Sequence, residues 1–274
     1  MSDADSRARV TDAQMEYANS CLREAYNLAG RGRVRNLIRK SLLPQMIEYR
    51  NLNIHLHPCD NFSEFVLWRK GRSPEELELN WLKDTFGGKT VKILDIGANF
   101  GLYSLFFASV LASDSRIYAF EPNPTLAKRF KRNCALNGFD NVDLNICAIS
   151  GETGEATLSI ELRGDTATNL GEAHLTTDPA HLDKTKYEFI QVQTRSLLEL
   201  THLHGVDYAK LDVEGHEPNI LMPFFEVAED EALPRYLQLE AVKLDEGAEN
   251  LFAAISGRGY KNVFQTQRNI IFKR

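Results

Sequence analysis

The sequence predicts an α/β fold built on a doubly wound, mostly parallel sheet, and three observations carry that expectation. First, Val91-Lys-Ile-Leu94 is a short strand-like run. It passes through Asp95-Ile-Gly-Ala-Asn-Phe-Gly101 into Leu105-Phe-Phe-Ala-Ser-Val-Leu-Ala112, an apolar run at helical spacing. Second, the same alternation recurs downstream, as sheet-and-helix layering requires. Third, the carboxylates Asp95, Glu121, Asp212 and Glu240 all fall at predicted strand ends, on the one edge where such sheets bind ligands.

From the N-terminus, Thr11 is placed to cap a helix carrying Met15, Ala18, Leu22, Ala25 and Ala29 at helical spacing up to Gly30. A basic amphipathic helix is expected over 31–43, with Val34, Leu37, Ile38 and Leu42 against Arg33, Arg35, Arg39 and Lys40, limited by Pro44. Its two readings are a solvated face on a packed helix, or contact with anionic lipid or an acidic partner. Leu52 to His57 alternates as a half-buried strand, and Phe62 to Trp68 reads as a strand or turn. Ser73-Pro-Glu-Glu is read as a capping box opening a helix to about Phe86, stopped by Gly87-Gly88. Residues 1–72 therefore form an N-terminal extension, helical and then a short strand region, ahead of a body at 73–274.

Within the body, Arg116 to Phe120 is a strand ending in Glu121, and Pro122 fixes the chain as it leaves. A helix follows over 124–137, with Gly138 as its stop. Val142 to Ile149 is read as the third strand, with additional strands at 156–160 and 189–194. The polar loop 163–187 between them is long enough to act as a lid or acceptor-binding segment. Tyr208 to Leu211 is the fourth strand, followed by a helix from about Glu217; Tyr236 to Leu239 is the fifth. A helix over 246–258 and a hairpin of 261–265 with 269–272 complete the chain.

Composition narrows the function classes. A hydrophobic fraction of 43% with 26% charged residues suits a globular chain. Cys21, Cys59, Cys134 and Cys147 are scattered without a C-x-x-C pair, which argues against a zinc site or disulfide framework. No apolar signal core opens the chain, so a cytoplasmic location is expected. Residues 1–50 hold nine Lys/Arg and six Asp/Glu, and the remainder carries a net charge of −9. That acidic body is a poor match to a long polyanion such as RNA.

The glycine turn and its acids select the ligand. A dinucleotide loop reads G-x-G-x-x-G and offers a helix N-terminus to pyrophosphate. Here the glycines are spaced G-x-x-x-G, and Asp95 stands two residues before the first. An acid 4 Å from a phosphate charge would be repelled by about 4 kcal/mol at intermediate screening. S-adenosylmethionine carries a sulfonium and an ammonium group instead, and suits a carboxylate. Asn99 is expected to cap the following helix or reach the ligand, and the N–H groups near Gly101 to hold its carboxylate. Glu121 is placed to accept hydrogen bonds from ribose hydroxyls, a device that nicotinamide sites share.

With Asp95-Ile-Gly-Ala-Asn-Phe-Gly-Leu-Tyr-Ser104, Phe120-Glu-Pro-Asn-Pro124 with Asn137-Gly138, and Lys210-Leu-Asp-Val-Glu-Gly-His-Glu217 in view, the chain resembles the FkbM family of S-adenosylmethionine-dependent methyltransferases. The resemblance implies a class I, Rossmann-like sheet of about seven strands ending in an antiparallel hairpin. It implies methyl transfer to a hydroxyl of a carbohydrate-containing or small natural-product acceptor. It also implies cofactor contacts through Asp95, Gly97, Ala98, Asn99, Phe100, Gly101, Glu121, Pro122 and Asp212, with adenine near Cys147 and Ala148. Asn133 and Asn137 are read as helix-capping residues.

Asp212-Val-Glu-Gly-His-Glu217 holds four ionisable groups in six residues. A hydroxyl is a poor nucleophile until a base removes its proton. Glu214 is the first candidate for that base and His216 the second, with Asp212 and Glu240 completing the catalytic set. The resemblance supports Asp212, Glu214 and Glu217 but leaves position 216 open; a surface histidine is the plainer reading of His216. Asp212, Glu214, His216 and Glu240 could take a divalent cation such as Mg²⁺, though nothing in their spacing demands one. The alternatives are an RNA or protein methyltransferase, a nicotinamide dehydrogenase, and a non-catalytic S-adenosylmethionine-binding protein. Against base N-methylation, Asn123-Pro124-Thr125 lies at the wrong strand for an Asn-Pro-Pro-Tyr-type motif. Pro58-Cys59 precedes the glycine loop, which speaks against a cysteine-nucleophile RNA enzyme.

Overall fold

The structure is a computed structural model that describes residues 12–30, 32–162, 168–176, 179–200, 204–240 and 248–274. It divides into two units, residues 1–74 with 163–169 and residues 75–162 with 170–274. Thr11, Arg31 and parts of the 163–187 loop lie outside the described residues.

The first unit holds α1 (Asp12–Leu28), α2 (Arg33–Lys40), the strand pair β1 (Gln45–Tyr49) and β2 (Leu52–Leu56), and α3 (Phe62–Lys70). β1 was not anticipated. It pairs antiparallel with β2, Tyr49 opposite Leu52, so the turn is Arg50-Asn51. Both turn residues have positive φ, 52° and 63°, the twist a two-residue hairpin needs. Residues 62–68 are helical rather than a strand or turn. Asn61 Oδ1 accepts the N–H groups of Ser63 and Glu64, and Gly71 ends the helix in the left-handed region. Five consecutive buried residues, Glu64 to Trp68, hide the helical period that would have identified it. Arginines line its rings: Arg39 lies 5.1 Å from the Phe65 centroid and Arg23 5.0 Å from Trp68.

The second unit opens with α4 (Glu76–Phe86), β3 (Lys92–Ile96), α5 (Leu102–Val110), β4 (Arg116–Phe120), α6 (Pro124–Asn137) and β5 (Val142–Asn145). Then come β6 (Ala148–Ser150), β7 (Gly154–Glu161), β8 (His174–Thr176), β9 (Tyr187–Ser196) and β10 (Tyr208–Leu211). α7 (Glu217–Val227), β11 (Tyr236–Glu240), α8 (Ala248–Gly257), β12 (Lys261–Gln265) and β13 (Asn269–Lys273) finish it. Seven strands form one sheet in the order β12-β13-β11-β10-β3-β4-β5. The five from β11 to β5 are mutually parallel, while β13 runs antiparallel to both β11 and β12. Among the five parallel strands, chain order runs outward in both directions from β3 and β10. The switch point, where ligands bind in such sheets, is therefore between them.

Two sequence readings change here. Residues 142–149 are not one strand: β5 edges the seven-stranded sheet, and β6 leaves it to pair with β9 in a second sheet, order β6-β9-β7-β8. The break comes at Ile146, which is exposed, followed by buried Cys147. α4 begins at Glu76, not at Ser73-Pro74. Its first i→i−4 bond runs from Leu79 N–H to the Glu75 carbonyl.

Alternation along the central strands decides what the site receives. Ala209, Leu211, Leu237 and Leu239 face one cluster with Ile220, Phe224 and Ile255 of α7 and α8. Tyr208 and Tyr236 face the other way, onto Phe86, Phe107 and Trp81 of α4 and α5 at 5.3–5.8 Å between ring centroids. Lys210, Gln238 and Glu240 share that second face by the period of two. Truncating a fully buried ring such as Phe107 to alanine would cost about 3–5 kcal/mol. Among the described residues no helix is long and apolar enough to cross a membrane.

Candidate functional site

The turn after β3 is held by its own hydrogen bonds. Gly97 and Ala98 N–H both donate to the Phe120 carbonyl at 3.0 Å, and Gly101 N–H to Ala98 O at 2.9 Å. Asn99 N–H donates to Glu121 Oε2 at 2.7 Å and Phe100 N–H to Asn99 Oδ1 at 2.8 Å. From Gly97 to Gly101, every amide has an acceptor inside the protein. A pyrophosphate loop would present these groups to its ligand. One expectation is corrected accordingly. Asn99, at φ 56°, closes on the next amide instead of capping α5, and the N-cap is Gly101. The Gly101 N–H is spent on the turn. Asn133, fully buried on α6, donates to the Phe100 carbonyl at 3.4 Å and so braces the loop.

Asp95 is fully buried beneath this turn. Its Oδ2 accepts from Ser104 Oγ at 2.6 Å, and its Oδ1 lies 3.6 Å from Lys210 Nζ. Asp95 and Lys210 are cross-strand partners on β3 and β10, with Gln238 next in the row on β11. Lys210 Nζ also lies 3.3 Å from Asp212 Oδ2 and donates to the Gly97 carbonyl at 3.4 Å. Burial alone would lower its pKa. Asp212, Asp95 and Glu75 outweigh burial and hold the ammonium above the ordinary lysine range. The charge of Asp95 is met by Lys210, and its reach is to the loop.

Glu121, 5% exposed, accepts Asn99 N–H on one oxygen and Asn123 N–H on the other, the latter at 2.8 Å. Burial raises its pKa to about 7 against those two hydrogen bonds and Lys210. The half-buried Pro122 follows, and Asn123 caps α6 by accepting Thr125 N–H. Cys147 stands between β5 and β6 and Ala148 opens β6, both buried; burial raises the Cys147 thiol, opposed by Arg195.

The acidic segment after β10 comes together with the end of β11. Asp212, Glu214 and Glu240 each place a carboxylate oxygen within 4.8 Å of the others. Glu214 sits at φ 59°, a strained position for a side chain, next to Gly215 at 92°. Arg268 lies 3.2 Å from Glu240 Oε1. Burial, then Asp212, raise the pKa of Glu240 to about 7. The same two causes raise Glu75, just before α4, to about 7. With Lys210 and Arg268 in place, a divalent ion at these three carboxylates would compete with cations the chain supplies itself.

His216 stands apart from this group. Its Nδ1 is 3.0 Å from Asn219 Nδ2, which can only donate, so Nε2 carries the proton toward Ser150 Oγ, also at 3.0 Å. Burial lowers its pKa. Both ring nitrogens are engaged by neighbouring side chains. Glu217 Oε1 accepts Val213 N–H at 3.1 Å and shapes the loop.

Ser104, Lys210, Glu75 and Arg268 were not assigned roles from sequence. A lysine in the middle of a buried strand needs a counter-ion, so Tyr208-Ala-Lys-Leu211 carried a signal for Lys210. Glu75 and Arg268 carry none in the linear sequence; only the fold brings them to the acids.

Methyltransferase 1 of Beauveria bassiana (strain ARSEF 2860) is 28% identical to the chain over 145 residues, 47% of this chain and 56% of that protein. The match thus spans little more than half of that relative's length. A crystal structure of methyltransferase FkbM from Methylobacillus flagellatus KT superposes with a TM-score of 0.45 at 13% identity, covering 94% of this chain and 58% of that one. The M. jannaschii TYW2 structure in complex with AdoMet gives 0.45 at 12% identity, covering 84% and 86%. The sequence profile described as Methyltransferase FkbM domain matches residues 95–261, from the acid below the glycine turn to the start of the last hairpin, and the chain belongs to that family.

Proposed function

We propose that the chain transfers a methyl group from S-adenosylmethionine to a hydroxyl of a carbohydrate-containing or small natural-product acceptor. The observation that carries this reading is the convergence at the switch point. A glycine turn with no amide left for a phosphate meets Glu121, Asp212, Glu214 and Glu240 at the ends of β4, β10 and β11. Such an edge favours a cationic sulfonium over a pyrophosphate. Family membership supplies methyl transfer, and the hydroxyl preference follows the family resemblance.

In this reading the turn Gly97 to Gly101 and Pro122 frame the cofactor, Glu121 faces the ribose, and Cys147 with Ala148 leaves room for adenine. The first-turn amides of α5 beyond Gly101, which have no intrahelical acceptors, receive the methionine carboxylate. Asp95 acts through the loop, and Asp212 faces the positive end of the donor. Glu214 takes the proton of the acceptor hydroxyl. The oxygen then bonds to the methyl carbon as the sulfur–carbon bond breaks, leaving a methyl ether, S-adenosylhomocysteine and a proton. In-line placement of oxygen, methyl and sulfur supplies much of the rate. Glu240, paired with Arg268, completes the acidic set with Asp212 and Glu214, and no step needs a metal. The reading assigns the chemistry to residues 73–274.

Methyl-labelled S-adenosylmethionine, offered with panels of sugars, hydroxylated small molecules, RNA and protein, tests the proposal. Label on an oxygen of a hydroxylated small molecule or glycan is expected. Label on RNA or protein alone would overturn the acceptor class.

A further inference from the structure

The pattern of α2, Arg33-Val-Arg-Asn-Leu-Ile-Arg-Lys40, predicts Val34, Leu37 and Ile38 against the protein and the basic side chains in water. The structure reverses much of this. Arg35 and Arg39, one turn apart, lean onto rings of α1 and α3. The Arg35 guanidinium stands 4.9 Å from the Tyr26 ring centroid, and its Nε donates to the Ala29 carbonyl at 3.1 Å. Arg39 stands 5.6 Å from the Phe62 centroid and 5.1 Å from that of Phe65, and its Nε donates to the Pro58 carbonyl at 3.4 Å. Planar guanidinium groups stack well on aromatic faces, so the two arginines take the side that aliphatic residues were expected to fill. No residue of α2 is buried; Val34 is 59% exposed and Leu37 66%. Leu37 lies one turn from Arg33 and from Lys40, both exposed, so all three share a face with Val34 at its border. The outer side of α2 is therefore an aliphatic pair flanked by two cations. Leu28, which ends α1 just before it, is 88% exposed.

Charge decides what covers that face. Between Glu24 and Glu48 the chain carries five Lys/Arg and no acid. A second copy of the same face would set cation against cation. An acidic protein would meet the charges, but would also need an apolar groove of matching shape for Val34 and Leu37. An anionic bilayer surface meets both at once: lipid phosphates take the cations, and the acyl boundary beneath takes the aliphatic side chains. We propose that the outer face of α2, with Arg33, Val34, Leu37 and Lys40, docks on an anionic lipid surface. The helix lies along the surface: at eight residues it is about 12 Å long, far short of a hydrocarbon core of about 30 Å. So few groups give a shallow, reversible contact, and this docking does not depend on which methyl acceptor the chain uses.

Co-sedimentation of the full chain with phosphatidylcholine vesicles, with and without phosphatidylglycerol, tests this at low and at high salt. Binding is expected only where phosphatidylglycerol is present, and weaker at high salt because surface charges are screened. Arg33→Ser is expected to weaken the partition about fivefold, the scale for one basic residue near an anionic surface. The double variant Val34→Ser/Leu37→Ser leaves the charge unchanged and is expected to weaken it about tenfold by removing apolar contact. Both variants alter exposed positions, and each is first checked for the wild-type thermal transition. Equal binding to the two kinds of vesicle overturns the proposal, as does binding undiminished in Val34→Ser/Leu37→Ser, which would reduce the contact to charge alone. A wild-type chain that binds neither vesicle also overturns it and leaves an acidic protein as the partner that fits the face.

Discussion

Gly97 and Asp212 meet backbone to backbone: a β-carbon on Gly97 would stand 1.9 Å from the Asp212 carbonyl oxygen. The turn that follows β3 is thereby pressed against the segment that follows β10, and the two proposed halves of the site cannot shift independently. Gly97 also holds φ 75°. G97A should therefore lose at least ~2 kcal/mol of stability and most cofactor affinity together. Thermal melts and donor titration on the same preparation check this; a variant of wild-type stability and affinity would contradict the contact.

Ser104 is the hydrogen-bond donor to buried Asp95. S104A removes a hydroxyl from a charged acceptor and should cost about 1.5–3 kcal/mol in denaturant unfolding. D95A leaves Lys210 without its buried partner and should cost more, about 3–5 kcal/mol, with loss of cofactor binding. Equal and small effects for both would place the buried charge elsewhere.

Glu214 and His216 separate cleanly in their predicted kinetics. E214Q keeps the shape of the side chain but removes the base, so turnover should fall ~10²- to 10⁴-fold with donor affinity nearly kept. H216Q alters a residue whose ring nitrogens meet Ser150 and Asn219, and turnover should fall only a few-fold. The labelled-methyl assay reads both. A larger loss in H216Q than in E214Q would reverse the assignment.

Three carboxyls, Glu75, Glu121 and Glu240, are raised from 4.5 to about 7 in the folded chain. Between those limits the folded state holds more protons than the unfolded, so their contribution to stability is present below pH ~4.5 and lost as pH rises to about 7. The melting temperature should fall across that window by roughly 2–4 °C for each kcal/mol lost. Donor affinity should move the opposite way, rising from pH 6 to 8 as Glu121 and Glu240 ionise toward the sulfonium. Flat affinity over that range would separate these acids from the ligand.

The glycine turn and the strand-end acids were legible because each is a local pattern. Asp95, Glu121 and Asp212 directly follow or end short β-branched or apolar runs, and residues 124–137 carried a glycine stop at Gly138. The rest failed for identifiable reasons. α3 was hidden by five buried residues in succession. The 142–149 run continued its apolar character across a change of sheet, which periodicity cannot register. The Asp95–Lys210 pair joins residues 115 apart in sequence but directly opposite across two strands. The spending of the loop amides on Phe120 and Glu121 likewise depends on a neighbouring strand, and a turn read alone offers them to a ligand.

The most direct measurement is calorimetric titration of the purified chain with S-adenosylmethionine and, separately, with NAD and NADP. The account predicts micromolar binding of the methyl donor and none of either dinucleotide. Binding of a dinucleotide, or of neither class, would contradict it.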